Sequence, residues 1–231
     1  MPVQLPLGIR LRDDATLTSY YPGPNETALD VLKGFVVPDS PEFLVYLWGA
    51  QGAGKTHLLQ GACHAVAAFN KSALYIPLSA CLFHGPELLR GLDQVSLVCL
   101  DDLHAIRGDK DWQQAVFHLF NRLKEAKGHL LIAAEPPPNQ LQFELPDLVS
   151  RLSWGLTFQL KTLGDDSKLQ ALQLRAKARG IDLADDAGWF LLRRYARDMH
   201  QLYEILEKLD EASLVHQRRL TIPFIKSILS L

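Results

Sequence analysis

The octapeptide Gly49-Ala50-Gln51-Gly52-Ala53-Gly54-Lys55-Thr56 stands between an apolar run, Phe43-Leu44-Val45-Tyr46-Leu47-Trp48, and an alanine- and leucine-rich stretch that opens at Lys55. A buried strand, a glycine-rich turn and a helix in that order leave few folds open. The strand belongs inside a sheet and the helix against its face. The glycines let the turn aim backbone N–H groups at one point, and the helix N-terminus adds partial positive charge there. Lys55 and the Thr56 hydroxyl complete the pattern of a phosphate-binding loop. Gly49, Gln51, Gly52, Ala53, Gly54, Lys55, Thr56 and His57 are therefore expected to line a purine-nucleotide site, with Thr56 as an Mg²⁺ ligand. A chance glycine turn ending in Lys-Thr is the competing reading, and the flanking strand and helix patterns argue against it. The motif gives a ligand class and no activity, because the same loop serves many functions.

The rest of the chain keeps the same rhythm as far as residue 160. Strands are expected at 43–48, 73–78, 97–101, 129–134 and 156–160, with helices at 26–34, 55–69, 86–92 and 111–127 between them. Such alternation predicts an α/β fold, a parallel sheet covered by helices. After Lys161 only helical patterns remain, at 165–179, 185–197, 198–216 and 221–229, with Thr221 placed to cap the last and Pro223 tolerated in its first turn. The expected organisation is an N-terminal arm at 1–20, read as extended, a nucleotide-binding domain at 21–161 and a small all-α lid at 162–231.

Composition narrows the function class. Among 231 residues the formal charge is −2, so no overall basic field draws the chain to DNA or to an anionic membrane. The N-terminus lacks a secretory pattern and no apolar run reaches the ~18 residues of a membrane span, which reads as a soluble cytoplasmic protein. The three cysteines, Cys63, Cys81 and Cys99, are widely spaced in apolar settings and read as buried reduced thiols. No histidine pair has metal-ligand spacing, and no zinc is expected.

The apolar strand Leu97-Val98-Cys99-Leu100 ends in Asp101-Asp102. At a sheet's carboxyl edge beside a phosphate loop, Asp101 suits an Mg²⁺ ligand and Asp102 an acid that orients attacking water; alone, the pair would read equally as a turn. The next strand delivers Glu135, either a γ-phosphate sensor or a solvated loop carboxylate. Arg151 is open to two readings, a surface arginine capping a short helix or an arginine finger facing another subunit's phosphates.

Taken together, sheet, P-loop, Asp-Asp strand end and helical lid resemble the AAA+ class, and within it the DnaA-related family. Gly49–Leu59 and Leu148–Gly155 carry that resemblance. The stretches Leu163–Ala176 and Arg218–Lys226, and the tail Gln4-Leu5-Pro6-Leu7-Gly8-Ile9, resemble the branch of DnaA-homologous regulatory inactivators, and the likeness runs over nearly the whole chain. The resemblance implies that Gln4, Leu5, Leu7 and Ile9 dock in a pocket of the DNA polymerase III β sliding clamp, an extended peptide with apolar anchors. It implies ADP or ATP with Mg²⁺ as cofactors, generally ADP, and Arg151 as a finger presented to ATP-bound DnaA. It implies contact with DNA only through the clamp, slow or absent hydrolysis by the chain itself, and negative regulation of replication initiation. Tyr21, Pro22 and Asn25 are placed by position beside the adenine. Two positions depart from the family pattern: His200 stands where such lids carry a nucleotide-touching arginine, for which Arg194 or Arg197 are candidate substitutes, and Gly8 replaces a bulkier residue of the clamp peptide. Head-to-tail contacts through Arg151 would allow a homo-oligomer without requiring one. An autonomous AAA+ ATPase of the helicase-loader type is the rival expectation, with a basic channel that the acidic balance does not favour; a nucleotide-dependent scaffold without trans activity is a third.

Overall fold

The computed structural model describes residues 11–195, 199–216 and 219–230. They form two compact units: a sheet unit of residues 11–17 and 27–160, and a helical unit of residues 18–26 with the described part of 161–230.

In the sheet unit, β1 (Leu44–Trp48), β2 (Ala73–Pro77), β3 (Leu97–Asp101), β4 (His129–Ala134) and β5 (Leu156–Gln159) pair in parallel in the order β2-β3-β4-β1-β5. The inner strands β1, β3 and β4 are buried almost throughout, which is why they read as unbroken apolar runs. Alternate side chains serve opposite faces. Tyr46, Val98, Leu100, Leu130 and Ile132 share a core with Trp112, Val116, Leu119, Phe120 and Leu123 of helix α4 (Lys110–Glu125). Cys99 points the other way, toward helix α2 (Lys55–Ala68), where its thiol lies 3.6 Å from the Leu59 carbonyl oxygen and 3.5 Å from Cys63 Sγ. All three cysteines are buried free thiols, and burial pushes Cys99 well up from its ordinary pKa. The register sets Trp48 opposite Ala134, so Gly49 and Glu135 leave the sheet side by side at its carboxyl edge.

Several local expectations are corrected. Residues 11–17 are not a free extended arm: they run along α2, where the Arg12 N–H donates to Gln60 Oε1 at 3.1 Å and His64 Nε2 meets the Arg12 carbonyl at 3.0 Å. Ala15 and Leu17 are buried there. Gly61 permits this approach, since a Cβ at that position would sit 2.9 Å from the Leu17 nitrogen. The helix expected at 86–92 is instead two 3₁₀ turns, Pro86–Leu89 and Leu92–Gln94, separated where Arg90 is extended and Gly91 left-handed (φ 73°). A single turn, α3 (Leu78–Cys81), follows β2 directly, and α5 (Pro146–Leu152) precedes β5. Helix α1 (Glu26–Phe35) was expected one residue shorter.

The helical unit contains α6 (Asp165–Ala178), α7 (Asp185–Tyr195), α8 (Met199–His216) and α9 (Ile222–Ile228) around Leu172, Leu191, Leu202, Leu206, Leu209 and Ile225. Thr221 takes the N-cap position of α9 without a side-chain capping bond, while Pro223 does lie in the first turn. None of the helices among the described residues is long and apolar enough to cross a membrane. Residues 18–26 join this unit through Asn25, which is 3% exposed. Its Oδ1 accepts the Lys161 N–H at 2.8 Å, and its Nδ2 donates to the Lys161 carbonyl at 2.9 Å and to the Tyr20 hydroxyl at 3.2 Å. Burial raises the Tyr20 hydroxyl to about 12. Asn25→Ala leaves a backbone N–H and C=O unpaired, and the expected loss is about 2–3 kcal/mol of stability, read as a lower urea midpoint. An unchanged midpoint would show that water replaces the amide.

Candidate nucleotide site

The loop after β1 has the backbone its glycines predict, with positive φ at Gly49 (152°), Gly52 (79°) and Gly54 (90°). Gly49 has a second constraint: a Cβ there would meet the Leu160 carbonyl oxygen at 2.3 Å. Its N–H donates to the Glu135 carbonyl at 3.1 Å, tying the loop to the end of β4. Gln51 and Gly52 are exposed and Ala53 is buried. Gly54, left-handed, ends the loop as the N-cap of α2, so the positive end of the helix faces the loop.

Lys55 is 7% exposed and curls over the loop, its Nζ donating to the Gly49 carbonyl at 2.6 Å and to Ala50 at 2.9 Å. Burial lowers its pKa, against the opposing pull of Asp101, Glu135 and Asp102. An ammonium held by two neutral carbonyls, and acted on by the charges of Asp101, Glu135 and Asp102, can exchange those carbonyls for a stronger anionic acceptor such as phosphate.

Asp101 ends β3 at 2% exposure. Its Oδ2 accepts the Thr56 hydroxyl at 2.6 Å and the Tyr75 hydroxyl at 2.9 Å, and its Oδ1 accepts the Asp102 N–H at 3.0 Å. Burial raises the Asp101 pKa and the bonds from Thr56 and Tyr75 counter it. The exposed Thr56 hydroxyl and the buried Asp101 carboxylate are hard oxygen donors set side by side, so the residues fit Mg²⁺. Tyr75 escaped the sequence reading because it lies on β2 and meets Asp101 only through the β2–β3 register. Tyr75→Phe is expected to raise the Mg²⁺ concentration needed for half-maximal nucleotide binding by about three- to tenfold, the scale of one hydrogen bond. Nucleotide affinity in EDTA should not change; an equal loss with and without Mg²⁺ would make Tyr75 a packing residue only.

The remaining expected positions divide. Asp102 adopts a left-handed turn (φ 54°) and its carboxylate accepts the Ser79 hydroxyl at 2.7 Å. Glu135 is exposed, with its N–H donating to His104 Nδ1 at 3.3 Å. Ser79 and His104 were also missed, each lying on a short element after a strand. The His57 side chain turns from the loop to the Thr16 carbonyl at 2.9 Å, and burial lowers its pKa. In the helical unit, the Tyr21 hydroxyl donates to Gln170, and both donors of the Asn25 amide are occupied as described, leaving none for an adenine. Gln4, Leu5, Leu7, Ile9, Arg197 and the side chain of His200 lie outside the described residues.

Arg151, in the last turn of α5, is half-buried. Its guanidinium lies 4.0 Å from the centre of the Phe117 ring and 5.8 Å from that of Phe120, and Nη1 is buried without a hydrogen-bond partner among the described residues.

A phosphate loop, a buried acidic strand end, a parallel sheet in 2-3-4-1-5 order and a four-helix unit define a P-loop nucleotide-binding protein of the AAA+ class. The bacterial DnaA ATPase domain matches residues 25–159, more than half of the chain, and the Hda lid domain matches residues 165–229. The chain belongs to the DnaA-related AAA+ family, and its lid is of the Hda type. Domain III of DnaA from Thermotoga maritima has the same fold at 21% identity and a TM-score of 0.77, over 96% of this chain and 98% of that one. AMPPCP-bound DnaA from Aquifex aeolicus is similar at 23% identity and a TM-score of 0.71, over 86% of this chain and 66% of that one. The DnaC helicase loader is more distant, at 18% identity and a TM-score of 0.52, over 64% of this chain and 98% of that one.

Proposed function

We propose that this protein is a cytoplasmic negative regulator of replication initiation, a nucleotide-bound subunit tethered to the DNA polymerase III β sliding clamp that stimulates ATP hydrolysis by DnaA in trans. The observation that carries this reading is Arg151, half-buried in the last turn of α5, whose guanidinium rests on the Phe117 ring with its Nη1 buried and unpaired among the described residues. Among the described residues no carboxylate pairs with this half-exposed cation, which leaves it for another subunit's phosphates. Within the chain's own site, Lys55 exchanges the Gly49 and Ala50 carbonyls for phosphate oxygens, and the α2 N-terminus contributes backbone N–H groups. Thr56 and Asp101 would hold Mg²⁺, which adds positive charge beside the phosphates. Besides Asp101, the acids whose charges act on Lys55 are Glu135 and Asp102, the latter accepting the Ser79 hydroxyl, and slow turnover by the chain itself fits a subunit that works on a partner. The working ligand in this reading is ADP or ATP with Mg²⁺.

The tether is tested by a Gln4/Leu7 double alanine. It should bind nucleotide as the wild type does and lose stimulation of DnaA on clamp-loaded DNA. Full stimulation by the double variant would remove the clamp from the account. The intact Lys55, Thr56 and Asp101 cluster also suits the rival, an autonomous ATPase, which predicts rapid Mg²⁺-ATP turnover by the chain alone.

A further inference from the structure

Trp154 is 61% exposed, an unusual position for the largest side chain and one that follows Arg151 by three residues. Its ring packs edge-on against Phe120 with centroids 6.1 Å apart, and the Lys124 ammonium lies 4.5 Å from its centre. Phe120 in turn stands 5.8 Å from the Arg151 guanidinium, whose nearer support is Phe117. Arg151 and Lys124 therefore lie at the two ends of one aromatic cluster, in which Phe120 is buried (1% exposed) while Trp154 and, in part, Phe117 reach the surface. Leu156, two residues after Trp154 and 36% exposed, opens β5, which among the described residues pairs with β1 on one side only.

An exposed tryptophan beside an exposed leucine is the composition of a docking patch rather than of scattered surface apolars. The charges decide what fits. Lys124 and Arg151 require an anionic counter-surface, and a phosphate loop carrying a nucleoside triphosphate supplies one. We propose that Trp154 anchors this chain to the triphosphate-bearing face of a second P-loop subunit, with Lys124 steering the encounter and Arg151 working from within the contact. The inference rests on the finger reading of Arg151 and deepens it: Trp154 contributes affinity, and Arg151 contributes rate. Trp154 is a positioning residue, since it touches the partner and not the reacting phosphate.

Hydrolysis of DnaA-bound ATP is titrated with wild-type protein, Trp154→Ala, Lys124→Glu and Arg151→Ala. Far-UV circular dichroism and affinity for a fluorescent ADP serve as checks that each variant folds. Trp154→Ala should need at least about tenfold more protein for half-maximal stimulation while reaching the wild-type maximum, the scale of a truncated interface tryptophan. Lys124→Glu leaves the ring in place and should shift the same midpoint, with a reduced dependence on salt. Arg151→Ala should lose the maximum at every concentration. Stimulation by Trp154→Ala and Lys124→Glu at the wild-type midpoint would overturn the anchor and leave the finger intact. A change in self-association with unchanged stimulation would also overturn it, assigning the patch to a second copy of this chain. Absence of stimulation by the wild type would instead remove the finger reading itself.

Discussion

Arg151→Ala is expected to reduce the maximal rate of DnaA-bound ATP hydrolysis by about a thousandfold, at the lower end of what a guanidinium supplied in trans contributes to phosphoryl transfer. The geometry explains why the loss should fall on rate. The guanidinium is held over Phe117 at 4.0 Å by a contact that fixes its plane and leaves Nη1 unbonded, so the residue is oriented before a partner arrives. Removing it forfeits the close cation–π contact with Phe117 and the longer one with Phe120, about 1–2 kcal/mol in all, so the folded protein should survive. Arg151→Lys keeps the charge and loses the planar fork, and should recover little of the rate. Single-turnover hydrolysis at saturating protein gives the maximum directly. A wild-type maximum for Arg151→Ala would reduce the residue to a surface cation stacked on α4.

Lys55→Ala is expected to weaken ADP and ATP binding about a hundredfold, the value of one or two charge-assisted hydrogen bonds, measured by fluorescent-nucleotide titration. The nucleotide-free protein should respond differently. Burial holds the Lys55 pKa below 10.5, so between that lowered value and 10.5 the unfolded chain binds more protons than the folded one. This residue's contribution therefore makes the folded state more stable as pH rises through that window, and Lys55→Ala should flatten the rise. Thermal unfolding followed from pH 7 toward pH 10 tests the sign. A steeper rise in the variant would mean that the Gly49 and Ala50 carbonyls stabilise the ammonium beyond what burial costs.

What the sequence revealed was whatever depends on local pattern. Glycines at 49, 52 and 54 after an apolar strand announced the loop, and the runs at 97–101 and 129–134 announced buried strands because residues covered on both faces are apolar throughout. Asp101 was legible as the carboxylate ending one of them. Tyr75, Ser79 and His104 were not, since each reaches its partner across the sheet edge and neither spacing nor composition records that meeting. Asn25 was placed beside the adenine by position alone, and its amide bonds to Lys161 were not legible because they join residues 136 positions apart. The segment at 86–92 looked helical from its leucines, and the left-handed Gly91 breaks it into 3₁₀ turns. The aromatic seat of Arg151 joins residues more than thirty positions apart, and only the packing of α5 on α4 brings them together.

The most direct test of the account follows labelled nucleotide on DnaA. DnaA preloaded with ATP is mixed with this protein, ADP and clamp-loaded DNA, and the bound label is resolved over time. The account predicts conversion of DnaA-bound ATP to ADP that requires both the protein and the loaded clamp. Retention of ATP on DnaA, while the chain itself binds nucleotide with normal affinity, would contradict it.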